Sequence, residues 1–402
     1  MSKFISSLID DAAKKAASDL HLEPGLPAAL RIRGDLIVSG PPIAGNDLLV
    51  AAQQIAGAEL WETFYERRSI DLSRTVAQRR CRINIFQTFR GVGFAIRILA
   101  SQSPSLHSLN LHPSLAKLST FKHGLVLLCG PTGSGKSSTI AALVREINMN
   151  AARHIITIEQ PIEYEIFPSR SFIRQREIGR DSPSFFQAIL DALREDPDVI
   201  VVGEMRKPET MKLTLSAAET GHLVFSTVHS ATVTEALHRI IGSFPPEAHA
   251  NVCAQLADCL VAVVCQRLVW NEQARARVPE CEVLYGNAAV KSCIRQNNLY
   301  RLSSIIETNA AEGMWNLTRY RNWLREKNDF ARLVNVASQP TARKQPVQRT
   351  PVPPKATSSQ HVARKQKRPK PQADGVLELD DNFEDPKEII AKYLRQSSKN
   401  KN

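Results

Sequence analysis

Of 402 residues, 43% are apolar, 23% charged and 6% aromatic, which is enough for two hydrophobic cores and excludes wholesale disorder. No uninterrupted apolar run approaches the roughly 18 residues of a membrane span. The opening MSKFISSLIDDAAKKAASDL places acids and lysines where a secretory leader would be apolar, so a soluble cytosolic chain is expected. The formal net charge of +12 belongs mostly to Ser338 to Pro371, which carries nine Lys/Arg and no Asp/Glu; the near-neutral remainder is no basic nucleic-acid platform.

Lys3 to Ala17 reads as an amphipathic helix, with Phe4, Ile5, Leu8, Ile9 and Ala12 on one side. A hairpin follows, Leu30 to Arg33 and Leu36 to Val38 around a Gly34-Asp35 turn. Arg82 to Phe86 and Gly93 to Ile98 alternate as further strands, which makes residues 1–100 a small α+β domain. Residues 101–112 are rich in Ser, Pro and Leu and read as a linker. From 113 to 337 the chain alternates apolar strands with helices. The strands are Gly124–Cys129, His154–Ile158, Asp198–Val202 and His222–Thr227. Continuous apolar strands spaced by helices predict a mainly parallel sheet buried on both faces, an α/β nucleotide-binding architecture. Residues 338–402 form a tail, first basic and rich in proline, then acidic from Asp374 to Asp385. Most of it is expected to be disordered, with one short helix over Pro386 to Arg395.

Seven cysteines, at 81, 129, 253, 259, 265, 281 and 293, include no C-x-x-C pair. The six-residue steps from Cys253 to Cys259 to Cys265 would scatter sulfurs around a helix. Buried, reduced thiols are expected, with no zinc.

Gly130-Pro131-Thr132-Gly133-Ser134-Gly135-Lys136-Ser137 fits G-x-x-x-x-G-K-[ST] between an apolar strand and a helix over Ser138 to Ile147. Glycines there let backbone N–H groups curve around phosphate oxygens, and the helix N-terminus adds its positive end. Ser138 extends this phosphate-binding set. Lys136 would bridge the β- and γ-phosphates of ATP, and the Ser137 hydroxyl would ligate Mg²⁺. Glu204 ends the strand Val199 to Val202 and is expected on the strand next to the P-loop strand, holding the Mg²⁺ shell through water. Glu159 and Glu163 both follow a strand and either suits the activation of water; spacing does not choose between them. His229 ends another strand, where it could sense the γ-phosphate.

GPTGSGKSS, ITIEQPIEYEI, ALREDPDVIVVGEMR and TGHLVFSTVHSATVTEALHRII resemble the Walker A, Asp, Walker B and His boxes of the bacterial type II/IV secretion and pilus motor ATPases. Within that superfamily the chain is most similar to the PilT-type retraction branch. ASDLHLEPGLPAALRIRGDL, RRCRINIFQTFRGVGFAIRIL and EGMWNLTRY carry that likeness, which extends over residues 3 to 330. It implies a RecA-like P-loop domain preceded by a small PAS-like α+β domain. It also implies a Mg²⁺-dependent ATPase acting as a homohexamer on an inner-membrane platform protein, peripheral at the inner face of the bacterial inner membrane. Membrane association would run through that partner or the tail. By the same resemblance Glu163 is the catalytic glutamate and Glu204 the Walker B glutamate. His229 couples the γ-phosphate to movement, and Arg82 and Arg97 reach a nucleotide at a subunit boundary. Arginine donated in trans accelerates phosphoryl transfer by about 10³ to 10⁵. Arg194 and Arg239 lie in matching boxes.

Departures from the pattern are Gln160 for aspartate in the Asp box, Lys207 for aspartate after Met205-Arg206, and a changed Ala289 to Gln296 segment. The work implied is retraction of type IV pili. A traffic ATPase of a type IV secretion or conjugation system shares the same catalytic core and is the alternative. The tetracysteine zinc site of the assembly branch is missing from the sequence.

Overall fold

The computed structural model describes residues 3–32, 34–99 and 103–331. The expectations for the basic and acidic tail, including the 386–395 helix, lie outside the described residues.

The first part holds α1 (Lys3–Lys14), β1 (Ala17–Leu22), β2 (Ala28–Ile32), β3 (Asp35–Ser39), α2 (Gly45–Arg67), β4 (Ser69–Val76), β5 (Arg79–Thr88) and β6 (Gly91–Ile98). The strands form an antiparallel sheet in the order β3-β2-β1-β6-β5-β4. Alternation sets its faces: Cys81, Ile83 and Ile85 of β5 are buried, while Arg80, Arg82 and Asn84 face away from that core. The helix α1 buries Ile5, Ile9, Ala12 and Ala13. It stops before the expected Ala17 because Ala16 turns left-handed and Ala17 already belongs to β1. In the hairpin Ile32 pairs with Asp35, so the turn closes one residue earlier than the expected Gly34-Asp35 pair. Gly34 takes the positive φ that such a tight connection demands.

The second part holds β7 (Gly124–Cys129), α3 (Lys136–Asn150), β8 (His154–Glu159), β9 (Phe172–Glu177), α4 (Phe185–Ala192), β10 (Val199–Val202) and α5 (Pro208–Glu219). These are followed by β11 (Leu223–Val228), α6 (Val233–Ile241), α7 (His249–Cys259), β12 (Leu260–Asn271), β13 (Ala276–Tyr285), α8 (Ala288–Arg295), α9 (Leu302–Thr308) and α10 (Leu317–Glu326). The sheet runs β13-β12-β7-β11-β10-β8-β9. Only β13 is antiparallel to its neighbour. Every residue of β7, β10 and β11 is buried, as expected for strands covered on both faces.

Three expectations are corrected here. The strand before Glu204, β10, does not adjoin the P-loop strand β7, because β11 lies between them. The second half of the presumed linker is core: Leu106 and Leu111 are buried in the cluster around the second sheet, and Asn110 exchanges two hydrogen bonds with the Ala331 backbone. Cys253 and Cys259 lie on α7 but Cys265 lies on β12, so no single helix carries the series. All seven thiols are free and buried. Burial pushes those of Cys81, Cys259 and Cys281 up to about 12.

Glu280 on β13 has no exposed surface and is clamped by Arg267 (2.6 Å) and Arg321 (2.7 Å). Replacing both arginines by methionine leaves that carboxylate buried and uncompensated, and should lower the unfolding free energy by about 3–5 kcal/mol, read from urea midpoints.

Candidate active site

The loop from Gly130 to Gly135 joins β7 to α3 and is shaped by backbone angles that side chains resist. Gly130, Gly133 and Gly135 all have positive φ. A Cβ on Gly130 would collide with the Gln266 carbonyl oxygen, and one on Gly135 would lie 2.8 Å from the Gln266 side-chain nitrogen. The loop is therefore pressed against β12. Gln266, 2% exposed, donates to the Ser134 carbonyl (2.6 Å) and accepts from the Thr139 hydroxyl (2.8 Å). It ties the loop to the first turn of α3.

Lys136 is buried, and its ammonium donates to the carbonyls of Gly130 (2.8 Å) and Pro131 (3.0 Å). Burial lowers its pKa, while the charges of Glu204 and Glu163 act the other way. Both acidic candidates thus lie within electrostatic reach of the lysine. The Ser134 hydroxyl is buried with no partner among the described residues. An orphaned hydroxyl, a buried ammonium and the N-terminus of a 15-residue helix fit a phosphate chain. For Mg²⁺ the donors expected from the sequence are the Ser137 hydroxyl and the Glu204 carboxylate. Such a sparse protein set suits an ion that takes most of its ligands from phosphates and water.

The sheet brings Glu204 and His229 together. The Glu204 carboxylate lies 3.3 Å from His229 Nε2 and 2.7 Å from the Arg206 guanidinium. Burial, then the Lys136 charge, lowers the His229 pKa and favours neutral imidazole. Arg239 donates to the His229 carbonyl (2.8 Å) and so anchors the histidine backbone. Arg194 is exposed.

Glu163 follows a cis Gln160–Pro161 bond. The preceding Ile162 is held by three side chains. Its carbonyl accepts from Ser73 (3.1 Å) and Arg80 (3.3 Å), and its N–H reaches Glu177 (3.4 Å). Arg82 and Arg97 pair across β5 and β6. Arg82 is bound to Asp71 (3.0 Å) and Arg97 to Asp19 (2.8 Å). Arg82 also feels the Glu163 charge.

Glu159 lines a cavity of about 40 Å³ together with Ser137, Thr157, Tyr164 and Thr227. Thr157 donates to its carboxyl (2.7 Å) and Gln175 approaches at 3.3 Å. Desolvation nevertheless dominates and raises its pKa to about 7. A larger cleft of about 390 Å³ lies at the opposite end of β7, lined by Lys122, Asp258 and Lys291 among others. Lys291 belongs to the altered 289–296 segment; the cleft contains no residue of the P-loop.

Sequence reasoning missed Ser73, Arg80, Glu177 and Gln266. Gln266 had a signal, a lone amide inside the apolar run of β12. Arg80 had none, since it shares a face with Arg82.

A glycine loop between a buried strand and a helix, with a lysine on the loop carbonyls and a carboxylate–imidazole pair nearby, defines a P-loop nucleoside triphosphatase. Residues 1–344 match the family model described as "Type II/IV secretion system protein". The type IV pilus retraction ATPase PilT of Pseudomonas aeruginosa is 38% identical over 78% of this chain and 91% of its own. A twitching motility protein of Neisseria gonorrhoeae is 37% identical over 71% and 77%. The crystal structure of a pilus retraction motor PilT with bound ADP superposes with a TM-score of 0.71 at 37% identity, covering 79% of this chain and 96% of that one. The chain belongs to the type II/IV secretion system protein family, and within it to the ATPases that resemble PilT.

Two outcomes test the site. Gln266→Leu removes both hydrogen bonds that brace the loop and should weaken nucleotide binding about tenfold, measured by titration with a fluorescent ATP analogue. The raised Glu159 pKa means the folded state holds that proton more tightly than the unfolded chain. Its contribution is fully present below the unfolded value of about 4.5 and is lost as pH rises through about 7. Glu159→Gln should therefore stabilise the protein relative to the parent by about 3 kcal/mol more at pH 8 than at pH 4, by urea unfolding.

Proposed function

We propose that the protein is a Mg²⁺-dependent, ATP-hydrolysing hexameric motor that retracts type IV pili. The observation that carries this reading is the 38% identity to a pilus retraction ATPase over 91% of that protein's length. Lys136 and the loop amides hold the phosphates, and Ser138 continues the phosphate-binding turn. Ser137 and Glu204 are the residues that would hold Mg²⁺. Bound Mg²⁺ supplies positive charge against the phosphate oxygens. Glu163 orients and deprotonates the attacking water, as the approach of its charge to Lys136 supports. Neutral His229, paired with Glu204, reports the γ-phosphate to the loop that Arg239 anchors. Arg82 and Arg97 leave Asp71 and Asp19 to meet nucleotide held by a neighbouring protomer.

In this reading residues 1–100 and 113–337 close on each other around each hydrolysis cycle. The ring works in the cytoplasm at the inner face of the inner membrane, against a platform protein. Among the described residues no helix is long and apolar enough to cross a membrane; the reading gives attachment to the partner or the tail.

The test is made in the host cell with Glu204→Gln. Hydrolysis should fall by about 100-fold or more, surface filaments should accumulate, and surface motility should be lost. Unchanged filament number would transfer the motor to secretion or conjugation, and fewer filaments would assign it to assembly.

A further inference from the structure

The Asp-box loop is held from outside its own sheet. Ile162, the residue before Glu163, has both backbone groups engaged. Its carbonyl accepts from Ser73 on β4 and Arg80 on β5, and its N–H points to the Glu177 carboxylate at the end of β9. Arg80 closes the circuit with a 3.0 Å ion pair to that same carboxylate. The Arg80 and Glu177 side chains are only 13% and 7% exposed, and Ser73 is 1% exposed. Buried charge at a junction between two sheets is costly unless fully paired. Here the pairing is completed through the two backbone groups of a single residue of the Asp-box loop.

The guanidinium acts as a fork: Nε reaches the Ile162 carbonyl and Nη2 the carboxylate. A fork fixes direction as well as distance, which a lysine cannot reproduce. Glu177 is itself fixed. Its N–H donates to Asp181 (2.9 Å), and Arg180 approaches its carboxylate at 3.8 Å.

We infer that Arg80, with Ser73 and Glu177, is a positioning device that sets the Glu163 carboxylate for hydrolysis and makes its placement depend on the first sheet. Arg80 touches no reacting atom and acts through the Ile162 peptide. Displacement of β4 and β5 would carry the Ile162 carbonyl with it, so movement of the first sheet is transmitted to the water-activating group of the same protomer. This is distinct from any arginine given to a neighbour, which Arg82 and Arg97 would supply. The inference rests on the reading of Glu163 as that group.

Full-length Arg80→Met/Glu177→Gln removes both charges together, so no lone buried ion remains to unfold the chain. With the thermal midpoint near that of the parent, kcat should fall on the order of ten- to a hundred-fold while KM for ATP stays within about twofold. Arg80→Lys, which keeps the charge but loses the fork, should lower kcat with the same unchanged KM. Glu163→Gln is measured beside them. If it hydrolyses ATP normally, the reading of Glu163 fails and the inference with it. If it is inactive while the double variant and Arg80→Lys turn over at the parental rate, the positioning role alone is overturned. A parallel rise in KM would also overturn it, because it would place the effect on nucleotide binding.

Discussion

Parallel register is the constraint on which the site depends. Val202 lies opposite both Ile158 and Ser226, and Val228 lies opposite Cys129. Strands that run in the same direction end at the same edge, so the residue after each carboxyl end emerges at one rim. Gly130, Glu159, Gly203 and His229 follow or close those four strands. None of them needs a long loop to reach the others. The same buried strands that make up the core therefore also deliver the loop, the acids and the imidazole.

Around that rim, the carboxylates are paired with particular neighbours. Glu204 sits between His229 and Arg206, Glu177 between Arg80 and Arg180, and Glu280 between Arg267 and Arg321. The last two pairings brace the site from opposite sides. Glu177 stands behind the Asp-box loop, whereas Glu280 secures the β12–β13 hairpin whose Gln266 supports the phosphate loop. Glu159 is the exception, a half-buried carboxyl with hydrogen-bond donors but no cation among the described residues, and desolvation accordingly wins there.

Much of this was legible in the sequence because its signals are local. A glycine loop with its lysine states its own geometry, and the runs at 124–129, 154–158, 198–202 and 222–227 are too apolar for anything but a covered sheet. The order of strands is not local. Nothing in the residues before Glu204 says that β11 intervenes between β10 and β7, since that follows from which crossover packs where. β12 was hidden for another reason: it follows α7 with no glycine or proline between, so the apolar pattern passes from helix to strand unmarked. Arg80 and Arg82 are indistinguishable by alternation. Only the approach of Ile162 and Glu177, some 80 to 100 positions away, separates their surroundings.

The seven buried thiols bear on how this molecule can be handled. Nucleophilic attack by cysteine requires thiolate. At neutral pH a group titrating near 12 is ionised in only about one molecule in 10⁵, as holds for Cys81, Cys259 and Cys281. Maleimide or iodoacetamide dyes would meet little competition from these three sulfurs while the fold is intact, and the other four are shielded by burial. A single cysteine placed on the fully exposed strand β3 would then take a fluorophore or spin label without first stripping out the natural ones. The natural thiols would become reactive only as the fold opens, which makes their labelling rate a direct clock for unfolding.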